Sequence, residues 1–194
     1  VLEELEAEVR YCLLPLSSRL DRFEKIEVNA RVKDCESALG ALRRRQEFAT
    51  FDPDQADSYS LTSLNDLAGV RVLAFPRTRW REANDVLRSY LPFSSWASDP
   101  VSSGDGRAEP LAFKYHGLCP RNTKLVRAEL QIVPMLTGLF WEVEHAAIYK
   151  PSPQLKGVLA SLEMQQPILD VYRALGVFEA EFERLVRTAP IDKL

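Results

Sequence analysis

Ile26-Glu27-Val28-Asn29-Ala30-Arg31-Val32-Lys33 alternates apolar and polar residues and then runs into Asp34. Period-two alternation makes a half-buried strand, with Ile26, Val28, Ala30 and Val32 on the inner face. Glu27, Asn29, Arg31 and Lys33 share the outer face, which ends in two cations. Asp34 is placed as the N-cap of a helix through Ala38, Leu39, Ala41 and Leu42 into Arg43-Arg44-Arg45, with Ser37 beside the free N–H groups of its first turn. A strand handing over directly to a helix, and doing so at a charged corner, sets the fold type: a sheet with helices on it.

Upstream, Leu2, Leu5, Val9, Cys12, Leu13 and Leu16 recur at helical spacing, and Pro15 predicts a bend or restart. Downstream, the polar run from Asp52 to Ser63 reads as a loop and Val70–Phe75 as a second, mostly buried strand. Trp80–Leu91 reads as a crossing helix, and Ser98–Pro110, rich in Ser, Gly, Asp and Pro, as a mobile loop. Ala112–Cys119 and Leu125–Val133 read as paired strands around a turn at Arg121-Asn122-Thr123. A helix from Leu136 to Tyr149 follows, with Leu136, Leu139, Phe140, Val143 and Ala147 as its core stripe and Trp141, Glu144, His145 and Ile148 on the neighbouring face. After Pro151-Ser152-Pro153, helical segments are predicted over Leu155–Leu175, kinked at Pro167, and over Val177–Val186. The expected architecture is α+β: one domain over 1–194, with a mixed sheet of about five strands flanked by helices. Its core covers about 24–150, with an N-terminal helix over 1–23 and C-terminal helices over 151–194.

The 194 residues are 46% hydrophobic, enough for a real core, and 27% charged with a formal net charge of -3. No broad basic field is available for holding nucleic acid through its phosphates, so phosphate binding must be local. Cys12, Cys35 and Cys119 are odd in number and far apart, which argues against a disulfide framework or zinc site and for a reducing cytoplasm. No apolar run approaches the roughly 20 residues that span a bilayer, and Val1-Leu2-Glu3-Glu4-Leu5-Glu6 is too acidic for a signal peptide. The absence of an initiator Met leads us to expect a chain trimmed from a longer one.

Arg31 and Lys33 on one strand face, with Ser37 at the helix start, offer cations, a hydroxyl and backbone donors to phosphate oxygens, or else form an ordinary solvated edge. Asp66 precedes the second strand, which carries Arg71; Glu129 and Gln131 share the polar face of the strand through Val133. Carboxylates at strand ends in one sheet can hold Mg2+ beside a nucleotide, and one of them can accept a hydroxyl proton. Singly, each has the simpler reading of a turn residue or a solvated strand side chain. The two histidines, His116 and His145, have no companions that would make a metal motif.

Arg31-Val32-Lys33 with Ser37, Asp66-Leu67-Ala68-Gly69-Val70-Arg71-Val72, Glu129-Leu130-Gln131-Ile132, and Trp141-Glu142-Val143-Glu144-His145 with Tyr149-Lys150 resemble, in order and spacing, the synthetase domain of the RelA/SpoT family, which makes (p)ppGpp-type alarmones. The resemblance spans Asn29–Lys150 and implies a nucleotidyltransferase-like fold. It also implies an ATP-dependent pyrophosphokinase that passes the β,γ-pyrophosphate to the ribose 3′-hydroxyl of GDP or GTP, with Mg2+ as cofactor. By that resemblance Arg31, Lys33, Ser37 and Arg71 hold ATP, with Arg77 or Arg79 stacked on adenine. Asp66 and Glu129 are the catalytic and metal-binding pair, and Glu144 and His145 support them. Lys114, Tyr115, His116 and Gln131 fall on the acceptor side. The family's Gly-Tyr-x-Ser-x-His stretch has two registers on Phe113-Lys114-Tyr115-His116-Gly117-Leu118-Cys119. The preferred one makes Tyr115 the stacking ring, with Gly117 and Cys119 at the Ser and His places. The other makes His116 the family His and leaves Ala112 where the ring would be. Ala41 and Val133-Pro134 replace residues that are often cationic or polar in the family, so adenine-nucleotide or tRNA 3′-end acceptors, and a nucleotide-binding domain without turnover, stay open. Nothing resembles the family's hydrolase half. Partners implied are ATP and a nucleotide, with no membrane; a homo-oligomer is compatible with the family.

Overall fold

The structure is a computed structural model and describes residues 1–48, 61–102, 110–119, 126–144 and 162–188. Helix α1 (Leu2–Ser17) leads into strand β1 (Lys25–Val32), helix α2 (Cys35–Phe48) and a 3-10 turn at Leu61–Ser63. Strand β2 (Ala68–Phe75), helices α3 (Arg77–Ser89) and α4 (Leu91–Ser94), and the short strand β3 (Ala97–Ser98) follow. Strands β4 (Phe113–Leu118) and β5 (Arg127–Pro134) and helices α5 (Met135–Glu144) and α6 (Leu162–Thr188) complete the order. The five strands form one sheet in the order β1-β2-β5-β4-β3. Only the β2–β5 pair is parallel; β1–β2, β4–β5 and β3–β4 are antiparallel.

Strand alternation sorts the residues cleanly between two faces. On one, Val28, Ala68, Val70, Val72, Ala74, Leu130, Ile132 and Tyr115 are buried with Leu5, Val9 and Leu13 of α1 and Trp80, Ala83 and Leu87 of α3. The Trp80 indole N–H donates to the carbonyl of Ile132 at 2.8 Å, so a large buried ring keeps its polar atom satisfied. On the other face, α5 covers one end, where Leu73, Ala112, Val133 and Met135 are buried with Phe75, Val101 and Trp141 packed against them. Arg31, Gly69, Glu129 and His116 lie in register across β1, β2, β5 and β4 at the opposite end of that face.

Three details differ from the sequence reading. Pro15 sits inside α1, which runs on without a break to Ser17. The predicted pair of C-terminal helices is, within the described residues, a single 27-residue helix, α6, that contains Pro167. Helix α5 buries Met135, Thr137 and Gly138, while Leu139 and Val143 are exposed, so its core stripe is turned from the one predicted. Gly138 is held by close approach, since a Cβ there would stand 2.3 Å from Leu73 Cδ2. The predicted turn at 121–123, most of the loop at 52–63 and the helical stretches at 145–149 and 155–161 lie outside the described residues.

Helix α6 is joined to the start of α3. No side chain of α3 caps it, and Pro76 stands at its N-cap. The backbone N–H of Thr78 instead donates to Glu183 of α6 at 2.6 Å, and Arg77 Nε donates to Glu179 at 3.0 Å. Carboxylates suit this end of α3, where free N–H groups and the positive end of the helix dipole coincide.

Candidate active site

Asp34 caps α2 as the sequence suggests: its carboxylate accepts the Ser37 backbone N–H at 2.8 Å and the Ser37 hydroxyl at 2.7 Å. The cap fixes the corner after β1, leaving Lys33 to reach Asp66, with which it forms a hydrogen-bonded ion pair. One strand over, the Lys33 backbone N–H donates to the Leu67 carbonyl at 2.9 Å, which ties the two corners together. The Arg31 side chain crosses Gly69, whose absent Cβ would lie 3.5 Å from Arg31 Cγ and Nε. Arg31 Nη2 then stands 3.8 Å from Glu129 Oε1.

Glu129 is 7% exposed on β5. A buried carboxylate needs compensation, and several neighbours supply it. Gln131 Nε2 donates to Oε1 at 2.5 Å, while Lys114 Nζ lies 3.8 Å from Oε2 on the side of β4. Gln131 in turn accepts from Arg71 Nε at 2.9 Å, and Arg71 Nη1 is 3.6 Å from Glu142 of α5. Burial, with the charge of Arg31, holds the Arg71 pKa below its ordinary value, against the pull of Glu142 and Glu129. The Lys114 pKa is raised: burial works against its charge, but the hydrogen bond it donates to Asp99 and the charges of Glu129, Asp99 and Asp66 outweigh it. Lys33 holds Asp66 and Arg31 reaches Glu129 from one face of β1, which puts the two carboxylates at one end of the sheet. His116 follows on the same face, its Nε2 3.7 Å from Asp99 and its buried Nδ1 without a hydrogen-bond partner.

The structure thus brings together Arg31, Lys33, Asp66, Arg71, Lys114, His116, Glu129 and Gln131. It separates others. Arg77 and Arg79, expected at adenine, begin α3 at the far end of β2: Arg77 pairs with Glu179, and Arg79 Nε with Glu24 at 2.8 Å. The Ser37 hydroxyl is spent on Asp34. Glu144 turns to α6 and accepts from the Tyr172 hydroxyl, while His145 lies outside the described residues.

Tyr115 is the chief correction. It pairs with Leu130 rather than with Glu129 or Gln131, and strand alternation sends it to the opposite face. There it is buried, its hydroxyl donates to Asn84 at 2.6 Å, and the Arg88 guanidinium lies 4.6 Å from its ring centroid. Gly117 shares that face under Trp96, where a Cβ would meet the indole at 2.4 Å. Ala112, Lys114 and His116 lie on the Glu129 face, as the alternative register would have them.

Two acids went unassigned in the sequence reading. Glu142, two residues before the Glu144 chosen on α5, stands 3.6 Å from Arg71; Asp99, in a segment read as mobile loop, accepts from Lys114 at 3.0 Å. Correct phasing of α5 would have found Glu142, whereas no pattern marks Asp99.

Asp66 and Glu129 are hard oxygen donors of the kind Mg2+ takes. Among the described residues no three His, Cys, Asp or Glu groups cluster to hold an ion alone. The donor set therefore fits an ion held jointly with a substrate's phosphates.

No protein-family profile and no curated protein matches the chain by sequence. Solved structures match by shape: the fold is that of the small alarmone synthetases. Small alarmone synthetase 1 from Bacillus subtilis has a TM-score of 0.68 at 18% identity, covering 97% of this chain and 93% of that one. The same protein bound to AMPCPP gives 0.65 at 20% identity, with 97% and 92% covered. Its complex with the product pppGpp gives 0.68 at 16%, with 95% and 90% covered. A GTP pyrophosphokinase family protein from Streptococcus pneumoniae gives 0.64 at 17%, with 95% and 86% covered.

Proposed function

We propose that this chain is an ATP-dependent pyrophosphokinase that transfers the β,γ-pyrophosphate of ATP to the ribose 3′-hydroxyl of a nucleotide, GDP and GTP first among them, making (p)ppGpp-type alarmones. The observation that carries this reading is Glu129, a nearly buried carboxylate flanked by Arg31 and Lys114 at 3.8 Å each and oriented by Gln131. The complexes of a neighbour of the same fold with AMPCPP and pppGpp support the choice of substrates.

In this reading Arg31, Lys33 and Arg71 take the triphosphate. Asp66 and Glu129 would hold Mg2+ together with the substrate's phosphates, and the ion would supply neutralisation of phosphate charge there. The 3′-oxygen attacks the β-phosphorus; the bond from that phosphorus to the α–β bridging oxygen breaks, and AMP leaves with that oxygen. Glu129 accepts the hydroxyl proton and passes it to water. Gln131 keeps the carboxylate aimed, and the cations supply placement and charge neutralisation. Free Cys12, Cys35 and Cys119 support a reducing, cytoplasmic setting. No helix among the described residues is long and apolar enough to cross a membrane.

Incubation with ATP, Mg2+ and GDP or GTP should release AMP and a 3′-pyrophosphorylated nucleotide, read by mass spectrometry. Absence of AMP with every nucleotide acceptor would overturn the reading. The core position of Tyr115 favours one rival, a nucleotide-binding domain without turnover. Tight binding of a nonhydrolysable ATP analogue without AMP formation from ATP would establish that rival.

A further inference from the structure

Among the described residues, the β4 side of Glu129 is built from charge, without a ring. On the β4 side, Ala112, Lys114, His116 and the exposed Leu118 share its face. Ala112 is fully buried in the cluster with Leu73, Val133 and Met135. Phe113 stacks on Trp80, its centroid 4.6 Å away, and Trp96 packs with Phe93; both belong to the opposite face, as Tyr115 does. Among the described residues on the Glu129 side, Phe75 and Trp141 pack against the apolar cluster at the covered end, and Phe140 of α5 packs on Tyr172 of α6.

A cation stands there instead. Lys114 Nζ is 3.0 Å from Asp99 Oδ2 and 3.8 Å from Glu129 Oε2, and His116 Nε2 is 3.7 Å from the same Asp99 oxygen. Asp99 is exposed, so an incoming anion can displace it at little cost, whereas Glu129 is fixed by Gln131. Glu129 thus has Arg31 on its β1 side and Lys114 on its β4 side, which divides the face into two anion-binding halves around one carboxylate.

Building on the function proposed above, we infer that the acceptor is gripped by its phosphates through Lys114 and His116, in exchange for Asp99, and that its base is read weakly. The acceptor class is then nucleoside 5′-diphosphates and triphosphates with little regard to base. The triphosphate of the donor occupies the Arg31, Lys33 and Arg71 half. A phosphate on an ammonium is a point-charge contact that any nucleotide can make, whereas base choice needs a stacking ring or a fork of donors, and among the described residues β4 sets neither beside Glu129.

The test compares GDP, UDP and guanosine as acceptors with ATP and Mg2+, and measures equilibrium binding of GDP and UDP without ATP by calorimetry. GDP and UDP should agree in kcat/KM and in Kd within about tenfold, and guanosine should be poorer by about a hundredfold or more. Lys114→Met should raise acceptor KM and GDP Kd about tenfold or more while leaving ATP KM within about twofold; Lys114→Arg should recover most of the loss. Asp99→Asn should tighten GDP. A preference for GDP over UDP beyond about a hundredfold, unchanged GDP binding in Lys114→Met, or use of a short RNA 3′ end in place of mononucleotides would overturn the inference. If no acceptor yields AMP, the pyrophosphokinase reading fails; the anion site is then decided by the calorimetric arm alone.

Discussion

At the scale of single residues, the alternation of β1, β2 and β5 made the cluster of Arg31, Arg71, Glu129 and Gln131 legible. A period-two pattern forces Arg31, Gly69, Arg71, Glu129 and Gln131 to one side of the sheet once the core side is chosen. The same rule misled on β4, because Phe113 and Tyr115 are apolar enough to be core while aromatic enough to be taken for a binding ring. Glu129→Gln should abolish AMP release, a loss of at least about a hundredfold, while circular dichroism and Tm stay near wild type, since the amide keeps the shape and removes the charge. Asp66→Asn should do the same. Tyr115→Phe should leave acceptor KM unchanged and cost about 1 kcal/mol in urea denaturation, the worth of its bond to Asn84. A rise in acceptor KM without loss of stability would return Tyr115 to the site.

At the scale of elements, phase and continuity were harder to read than element type. Helix α5 carries apolar residues on nearly every side, so its sequence has no clear phase, and it is contact with Leu73 and Val133 that selects Gly138 for the sheet. Pro167 marks a break by local preference, yet α6 continues through it, helped by its docking on α3 and α5. Arg77 and Arg79 fell to a different cause: a parallel crossover starts α3 at the end of β2 opposite Asp66, a separation that spacing along the chain does not express. Gly117→Ala should destabilise the protein by about 1–3 kcal/mol, because a methyl there cannot coexist with the Trp96 ring where it stands. Thermal unfolding would measure it, and an unshifted Tm would mean that β4 and Trp96 can separate freely.

Across the whole molecule, the α6–α3 junction gives stability a pH dependence that composition does not reveal. Burial, the largest influence, raises the pKa of Glu179, and Glu183 adds to it, while the charge and hydrogen bond of Arg77 and the charge of Arg81 oppose. A carboxyl raised in the folded state stabilises most below its unfolded pKa, and that contribution is lost as pH rises through the folded value. Relative to wild type, Glu179→Gln should therefore gain stability as pH climbs from the ordinary carboxylate range toward neutrality. Tm curves of the two proteins that stay parallel over that range would contradict this. The charged face has a consequence of its own. Lys33, Arg31, Arg71 and Lys114 each already face a carboxylate, Asp66, Glu129, Glu142 and Asp99 respectively. Neutralised pair by pair, the surface projects little field into solvent, so a nucleotide meets no long-range pull and its association rate should hardly vary with ionic strength. Selection then happens on arrival, when phosphate oxygens take the place of Asp99 beside Lys114, and diffusion alone governs how often arrivals occur.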